Sequence, residues 1–214
     1  MRFKGLEHPI HVVGLTGGIG SGKSTVANLF RKHSHRVNIV DADFIARLLV
    51  APGEPALTEI VKTFGRSVLC PTGLDRKKLG RIVFGDPAKL KKLNKIMGPR
   101  IQQRAMTQIE WWARRYWQDD PVIIYEAALL VESGTYKQFD RLIVVGCDHE
   151  TQRQRVMARD KCTEAEARER IAAQYPLGKK KRVCSYFIDT SCPLNSVKIR
   201  VAEVFNLIVN GRRR

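Results

Sequence analysis

Gly17-Gly18-Ile19-Gly20-Ser21-Gly22-Lys23-Ser24-Thr25 satisfies G-x-x-x-x-G-K-[ST] in full, the spacing of a phosphate-binding loop. Its surroundings agree with that reading. The apolar run His11-Val12-Val13-Gly14-Leu15 before it has the length of a buried strand, and Val26, Leu29 and Phe30 after it fall at helical spacing. Strand, glycine loop and helix are the context the motif requires. Glycine lets the backbone curl around a phosphate because no Cβ intervenes. Successive N–H groups then point inward, and the helix that follows adds its positive end. The loop makes Gly18, Ile19, Gly20, Ser21, Gly22, Lys23, Ser24 and Thr25 the candidate nucleotide-binding residues. Lys23 is placed to reach the β- and γ-phosphates of ATP, and the Ser24 hydroxyl to ligate Mg²⁺.

Working outward, Val37-Asn38-Ile39-Val40 reads as a second strand, ending at Asp41-Ala42-Asp43. Carboxylates at the carboxyl end of a strand lie where open α/β sheets bind ligands. Either aspartate can instead cap the helix that follows. Pro52-Gly53-Glu54-Pro55 breaks that helix. From there to about residue 118 the pattern is helical, with one helix over residues 86–97 and another over 101–116. Trp111, Trp112 and Trp117 in this region are assigned to packing rather than to stacking on bases. Pro121-Val122-Ile123-Ile124-Tyr125 is a third strand, ending at Glu126, and Arg141-Leu142-Ile143-Val144-Val145 a fourth. A helix over residues 150–159 carries Gln152, Arg155 and Arg159 along one side. Thr163-Glu164-Ala165-Glu166 is a capping box opening the next helix. Tyr186-Phe187-Ile188 is a fifth strand, and a long helix closes the chain. Five short apolar strands alternating with helices predict an α/β fold, a five-stranded parallel sheet flanked by helices.

The net charge of +17 favours polyanionic partners. The basic residues are spread through helices, and no nucleic-acid motif accompanies them, so nucleotides are expected rather than nucleic acid. The tail Arg212-Arg213-Arg214 reads as a frayed basic end. Cysteines 70, 147, 162, 184 and 192 form no C-x-x-C pair, which argues against a zinc site or a disulfide framework. That usage fits a reducing cytoplasm. The N-terminal residues 1–9 are polar and lack a signal-peptide core. No run of eighteen apolar residues predicts a membrane span.

The phosphate loop alone specifies only a nucleotide phosphate. Taken with Asp41-Ala42-Asp43, Ile45-Ala46-Arg47, Leu129-Leu130, Glu132-Ser133-Gly134, Ala158-Arg159-Asp160 and Arg170-Ile171-Ala172-Ala173-Gln174, the chain resembles the dephospho-coenzyme A kinases over about residues 12–205. It departs from their pattern at Gly98-Pro99, where His-Pro is usual. It departs again at Glu126-Ala127-Ala128, where Asp-x-Pro is usual.

The resemblance implies a P-loop kinase fold and transfer of the ATP γ-phosphoryl group to the ribose 3′-hydroxyl of dephospho-CoA. It implies one kinase domain over residues 1–214. The core would take about 10–50, 119–148 and 183–214, a helical acceptor insertion about 51–118, and a lid about 149–182. The expected catalytic set is Asp43, Asp41, Lys23 and Arg159, with Mg²⁺ on Ser24. Asp43 would accept the proton of the acceptor hydroxyl. Asp41 would hold Mg²⁺-bound water or orient Asp43, and the two roles are interchangeable in sequence. Arg159, with Arg155, would approach the phosphates from the lid or stack on the adenine, and Lys180 falls at a basic lid position. A cytoplasmic monomer or weak homo-oligomer is expected. The alternative is another P-loop nucleoside or nucleoside-monophosphate kinase.

Overall fold

The computed structural model describes residues 10–211; the polar N-terminus and the Arg212-Arg213-Arg214 tail lie outside them. In chain order the elements are β1 (His11–Gly17), α1 (Lys23–His33), β2 (Val37–Asp41), α2 (Ala42–Leu48), α3 (Pro55–Phe64), β3 (Leu69–Cys70), β4 (Gly73–Leu74), α4 (Arg76–Phe84), α5 (Pro87–Arg115), β5 (Val122–Glu126), β6 (Arg141–Gly146), α6 (His149–Asp160), α7 (Glu164–Ala172), α8 (Leu177–Lys181), β7 (Tyr186–Asp189) and α9 (Leu194–Asn210). The chain divides into two compact units. One is formed by the chain up to Val40 and from Trp111 onward, the other by Asp41–Glu110.

The first unit is built on a five-stranded parallel sheet in the order β2-β5-β1-β6-β7. All seven residues of β1 are buried, as the central strand of a sheet covered on both faces requires. Val13 and Leu15 share a core with Val26 and Phe30 of α1 and with Val201, Phe205 and Ile208 of α9. The alternation along β1 therefore delivers odd positions to the α1–α9 side. The register Leu15↔Glu126 with β5 and Gly17↔Val145 with β6 sets three carboxyl-terminal strand ends side by side. The phosphate loop leaves β1 at that edge.

The second unit packs α3, α4 and the first part of α5, with Val50 from just beyond α2, around Ile60, Val68, Leu79, Val83 and Ile96. Asp75 caps α4 by accepting from Lys78 N at 2.9 Å, and Asp86 accepts from Ala88 N and Lys89 N at the start of α5. A two-residue hairpin, β3–β4, turns through Pro71-Thr72 and is missing from the periodicity because each strand is too short to alternate. The expected pair of helices over 86–97 and 101–116 is instead one helix running through Pro99. Proline removes one helical N–H, but the Arg100 guanidinium donates to Ile96 O at 2.6 Å and supports the turn. Trp112 stacks on Tyr116 and meets Trp111 edge to face at 4.6 Å, although Trp111 remains exposed; the Trp117 side chain lies outside those described.

Asp148 caps α6, accepting from Thr151 N at 2.8 Å and Thr151 Oγ1 at 2.6 Å. These bonds, the hydroxyl first, lower its carboxyl to about 2. A carboxyl depressed in the folded state stabilises above its unfolded value of about 4, and that contribution fades as pH falls toward 2. Acid titration should therefore loosen the first turn of α6 below about pH 4. Asp148→Ala should lose this acid-dependent component, read as the difference in melting temperature between the two proteins at neutral pH and near pH 2.5.

Candidate active site

The phosphate loop spans the gap between β1 and α1. Ser21 N donates to Gly18 O at 3.1 Å, drawing the loop into a tight turn. Gly20 and Gly22 take φ of 72° and 80°, values at which a side chain is strained. Gly22 is the N-cap of α1, and no side chain caps that helix. The first N–H groups of α1 are thus left for an anion. A Cβ on Gly22 would also meet Thr190 at 3.3 Å. Gly22→Ala should cost the protein about 1 kcal/mol or more in stability and weaken MgADP binding, checked by thermal melts and calorimetry.

Lys23 opens α1, and its ammonium sits 2.7 Å from Glu126 Oε1, with side-chain exposures of 12% and 5%. Ser24 Oγ donates to the same oxygen at 3.3 Å. Glu126 is the last residue of β5 and is held beside β1 by the register described above. The site thus brings together a paired cation, a hydroxyl and a buried carboxylate. Hydroxyl and carboxylate oxygens suit a hard divalent cation that keeps water and phosphate oxygens as its other ligands. Among the described residues no group of three or more His, Cys, Asp or Glu side chains forms a protein-only metal cage.

Thr190, just beyond β7, backs the loop. Its hydroxyl donates to Ser21 O at 2.8 Å. Arg155 donates to Thr190 Oγ1 and to Thr190 O at 2.9 and 2.8 Å. The α6 helix is therefore tied to the loop through Arg155. Arg159, one turn further on, is exposed and engaged by its neighbour Asp160 at 2.7 Å, an acid that also receives Arg170. Lys180, at the basic lid position, is 1% exposed and paired with Glu132 at 2.6 Å, and it lines a cavity that also takes in Gly18, Gln152 and Gln174. In the second unit Asp41 caps α2, accepting from Phe44 N at 2.9 Å. Asp43 lies half-buried in the first turn of the same helix.

A family model described as dephospho-CoA kinase matches residues 11–195. The dephospho-CoA kinase of Shouchella clausii is 44% identical over 180 residues, covering 84% of this chain and 89% of that protein. That of Thermobifida fusca is 44% identical over 194 residues, covering 90% and 94%. The crystal structure of a Thermus thermophilus protein superposes with a TM-score of 0.78 at 27% identity, over 97% of this chain and all of that one.

The chain belongs to the dephospho-CoA kinase family. It has the P-loop kinase fold expected from its sequence, and the family is one of ATP-dependent kinases. The loop, Lys23 and Ser24 are legible in the sequence, and they lie together at the start of α1. In the sequence Glu126 is only a carboxylate that stands where the dephospho-CoA kinases usually carry aspartate. Its contact with Lys23 is tertiary, and the one sequence signal was an acid ending a strand. Thr190 carried no signal beyond its place after a strand end. No helix among the described residues is long and apolar enough to cross a membrane.

Proposed function

We propose that this chain phosphorylates the ribose 3′-hydroxyl of dephospho-CoA with ATP, giving CoA and ADP. The observation that carries the reading is the uncapped start of α1 behind the phosphate loop, with Lys23 and Ser24 on Glu126, in a chain of this family.

Phosphoryl transfer depends on positioning and charge neutralisation more than on covalent help from the protein. The loop's N–H groups and the start of α1 hold the β- and γ-phosphates. Lys23 exchanges Glu126 for the γ-phosphate, so its charge meets the oxygens on which negative charge gathers. Ser24 and Glu126 would hold Mg²⁺, which would neutralise charge on the phosphates. Asp43 accepts the proton as the acceptor oxygen forms its bond to phosphorus and the bond to the ADP oxygen breaks. Asp41, committed to its cap, steadies the backbone that carries Asp43. Arg159 leaves Asp160 for the phosphates when nucleotide is present, and Arg155 holds its helix to the loop meanwhile.

We assign residues 51–118 to acceptor binding and 149–182 to a lid, in an enzyme that works in the cytoplasm as a monomer or weak homo-oligomer, without nucleic acid or membrane. Purified protein should convert dephospho-CoA and MgATP to CoA and ADP, followed by chromatography of both products. Nucleosides and nucleoside monophosphates offered in parallel should be poor acceptors. Preference for either of them over dephospho-CoA would overturn the reading.

A further inference from the structure

The crest of the phosphate loop is held from outside by two side-chain amides. Gln152 of α6 donates Nε2 to Ile19 O at 2.8 Å. Gln174, just beyond α7, accepts from Ile19 N at 2.7 Å. One residue of the loop thus has both its backbone groups taken by the segment that follows β6. The amide orientations are set by their partners, since a carbonyl can only accept and an N–H only donate.

A trans peptide aims its C=O and N–H in opposite directions, and the described chain contains no cis bond. Holding Ile19 O on α6 therefore turns the Gly20 N–H away from α6, toward the inside of the loop. Holding Ile19 N–H on Gln174 likewise turns the Gly18 carbonyl the other way, onto Ser21 N. A cavity of about 630 Å³ adjoins this side of the loop, with Gly18, Gln152 and Gln174 among its lining residues. The Gly20 side of the crest packs against α6, where an added Cβ would meet Val156 and Gln152 O at 2.8 and 2.9 Å, and the two amides add the directional hold on the Ile19 N–H and C=O. The grip continues beyond Gln174. Tyr175 N donates to Glu132 at 3.0 Å, and Glu132 pairs with buried Lys180. Lys180 also reaches Ala128 O, the carbonyl that accepts from Thr16 Oγ1 at 3.0 Å. The path starts at the crest of the phosphate loop and ends on Thr16, the residue just before it.

We propose that Gln152 and Gln174 are positioning residues that pre-aim the crest peptides for nucleotide phosphate, coupling the α6–α8 segment to the loop. This deepens the kinase reading and rests on it only for the identity of the ligand. It also explains Gly18, whose missing Cβ leaves room for the Gln152 amide; an added Cβ would lie 2.9 Å from Nε2.

The test is MgADP binding by calorimetry, which needs no acceptor and so stands apart from the identity of the phosphorylated hydroxyl. Gln152→Ala and Gln174→Ala should each raise the MgADP Kd about tenfold, the worth of one lost orienting hydrogen bond. Gln152→Glu should raise it further, because a carboxylate repels Ile19 O. Gly18→Ala, which pushes the Gln152 amide aside while leaving both glutamines in the sequence, should give the same loss as Gln152→Ala. Melting temperatures should stay within about 2 °C of wild type, and in turnover the effect should fall on KM for ATP, with kcat moving less than about threefold. A Kd within twofold of wild type in both alanine variants would overturn the proposal. So would tighter binding by Gln174→Ala, which would make that amide a stand-in for phosphate. Losses that track a falling melting temperature instead of KM would reduce both residues to structural ones.

Discussion

Lys23→Ala should lower kcat by about 10²–10³, the usual cost of losing one donor aimed at transition-state charge. Its effect on MgATP affinity should be smaller, because the loop's N–H groups and the start of α1 remain. The same variant should also be less stable without ligand, by about 3 kcal/mol, because it strands a buried carboxylate without its cation. Glu126 is 5% exposed at the side chain, so water cannot replace the ammonium cheaply. The two losses have different cures. Adding Glu126→Gln to Lys23→Met should restore most of the stability, since no charge is then left buried, yet leave turnover at the Lys23→Ala level or below. Thermal melts and initial rates on the four proteins separate the roles. If Lys23→Ala keeps turnover within threefold of wild type, the lysine belongs to the fold and not to the chemistry.

Asp43→Asn should reduce kcat by about 10²–10⁴, the range for a missing general base, with the MgATP Kd within about twofold of wild type. The neighbouring carboxylate provides the contrast. Asp41 is spent on Phe44 N, and asparagine caps a helix about as well as aspartate. Asp41→Asn should therefore leave α2 intact and cost about tenfold in kcat or less. Asp41→Ala removes the cap and should cost about 1 kcal/mol of stability. Steady-state rates with dephospho-CoA, taken beside nucleotide affinity, read all three. A larger kcat loss for Asp41→Asn than for Asp43→Asn would exchange their roles.

Much of the fold was legible before any coordinates. The motif at 17–25, the apolar strands and the Thr163–Glu166 capping box are local patterns, in which each residue's neighbours in sequence are its neighbours in space. Where distance along the chain mattered, local pattern failed. Gly98-Pro99 looks like the end of a helix, but the helix continues through it to bury Ala105, Ile109 and Ala113. Lys180 stands between two lysines that read as solvated, and nothing local marks its partner: the charge of Glu132, 48 positions earlier in the numbering, takes it into the interior.

The order of residues alone determined that this chain winds a parallel sheet and carries a phosphate cradle, because glycine spacing and the period of apolar residues act within a few positions. Only the tertiary structure decided what surrounds that cradle. Glu126 under Lys23, Thr190 behind Ser21, and the two glutamines on Ile19 are separated from the loop by roughly a hundred residues or more. Such contacts follow from strand order and from the crossovers that return each helix to the same edge of the sheet, and no local spacing encodes them.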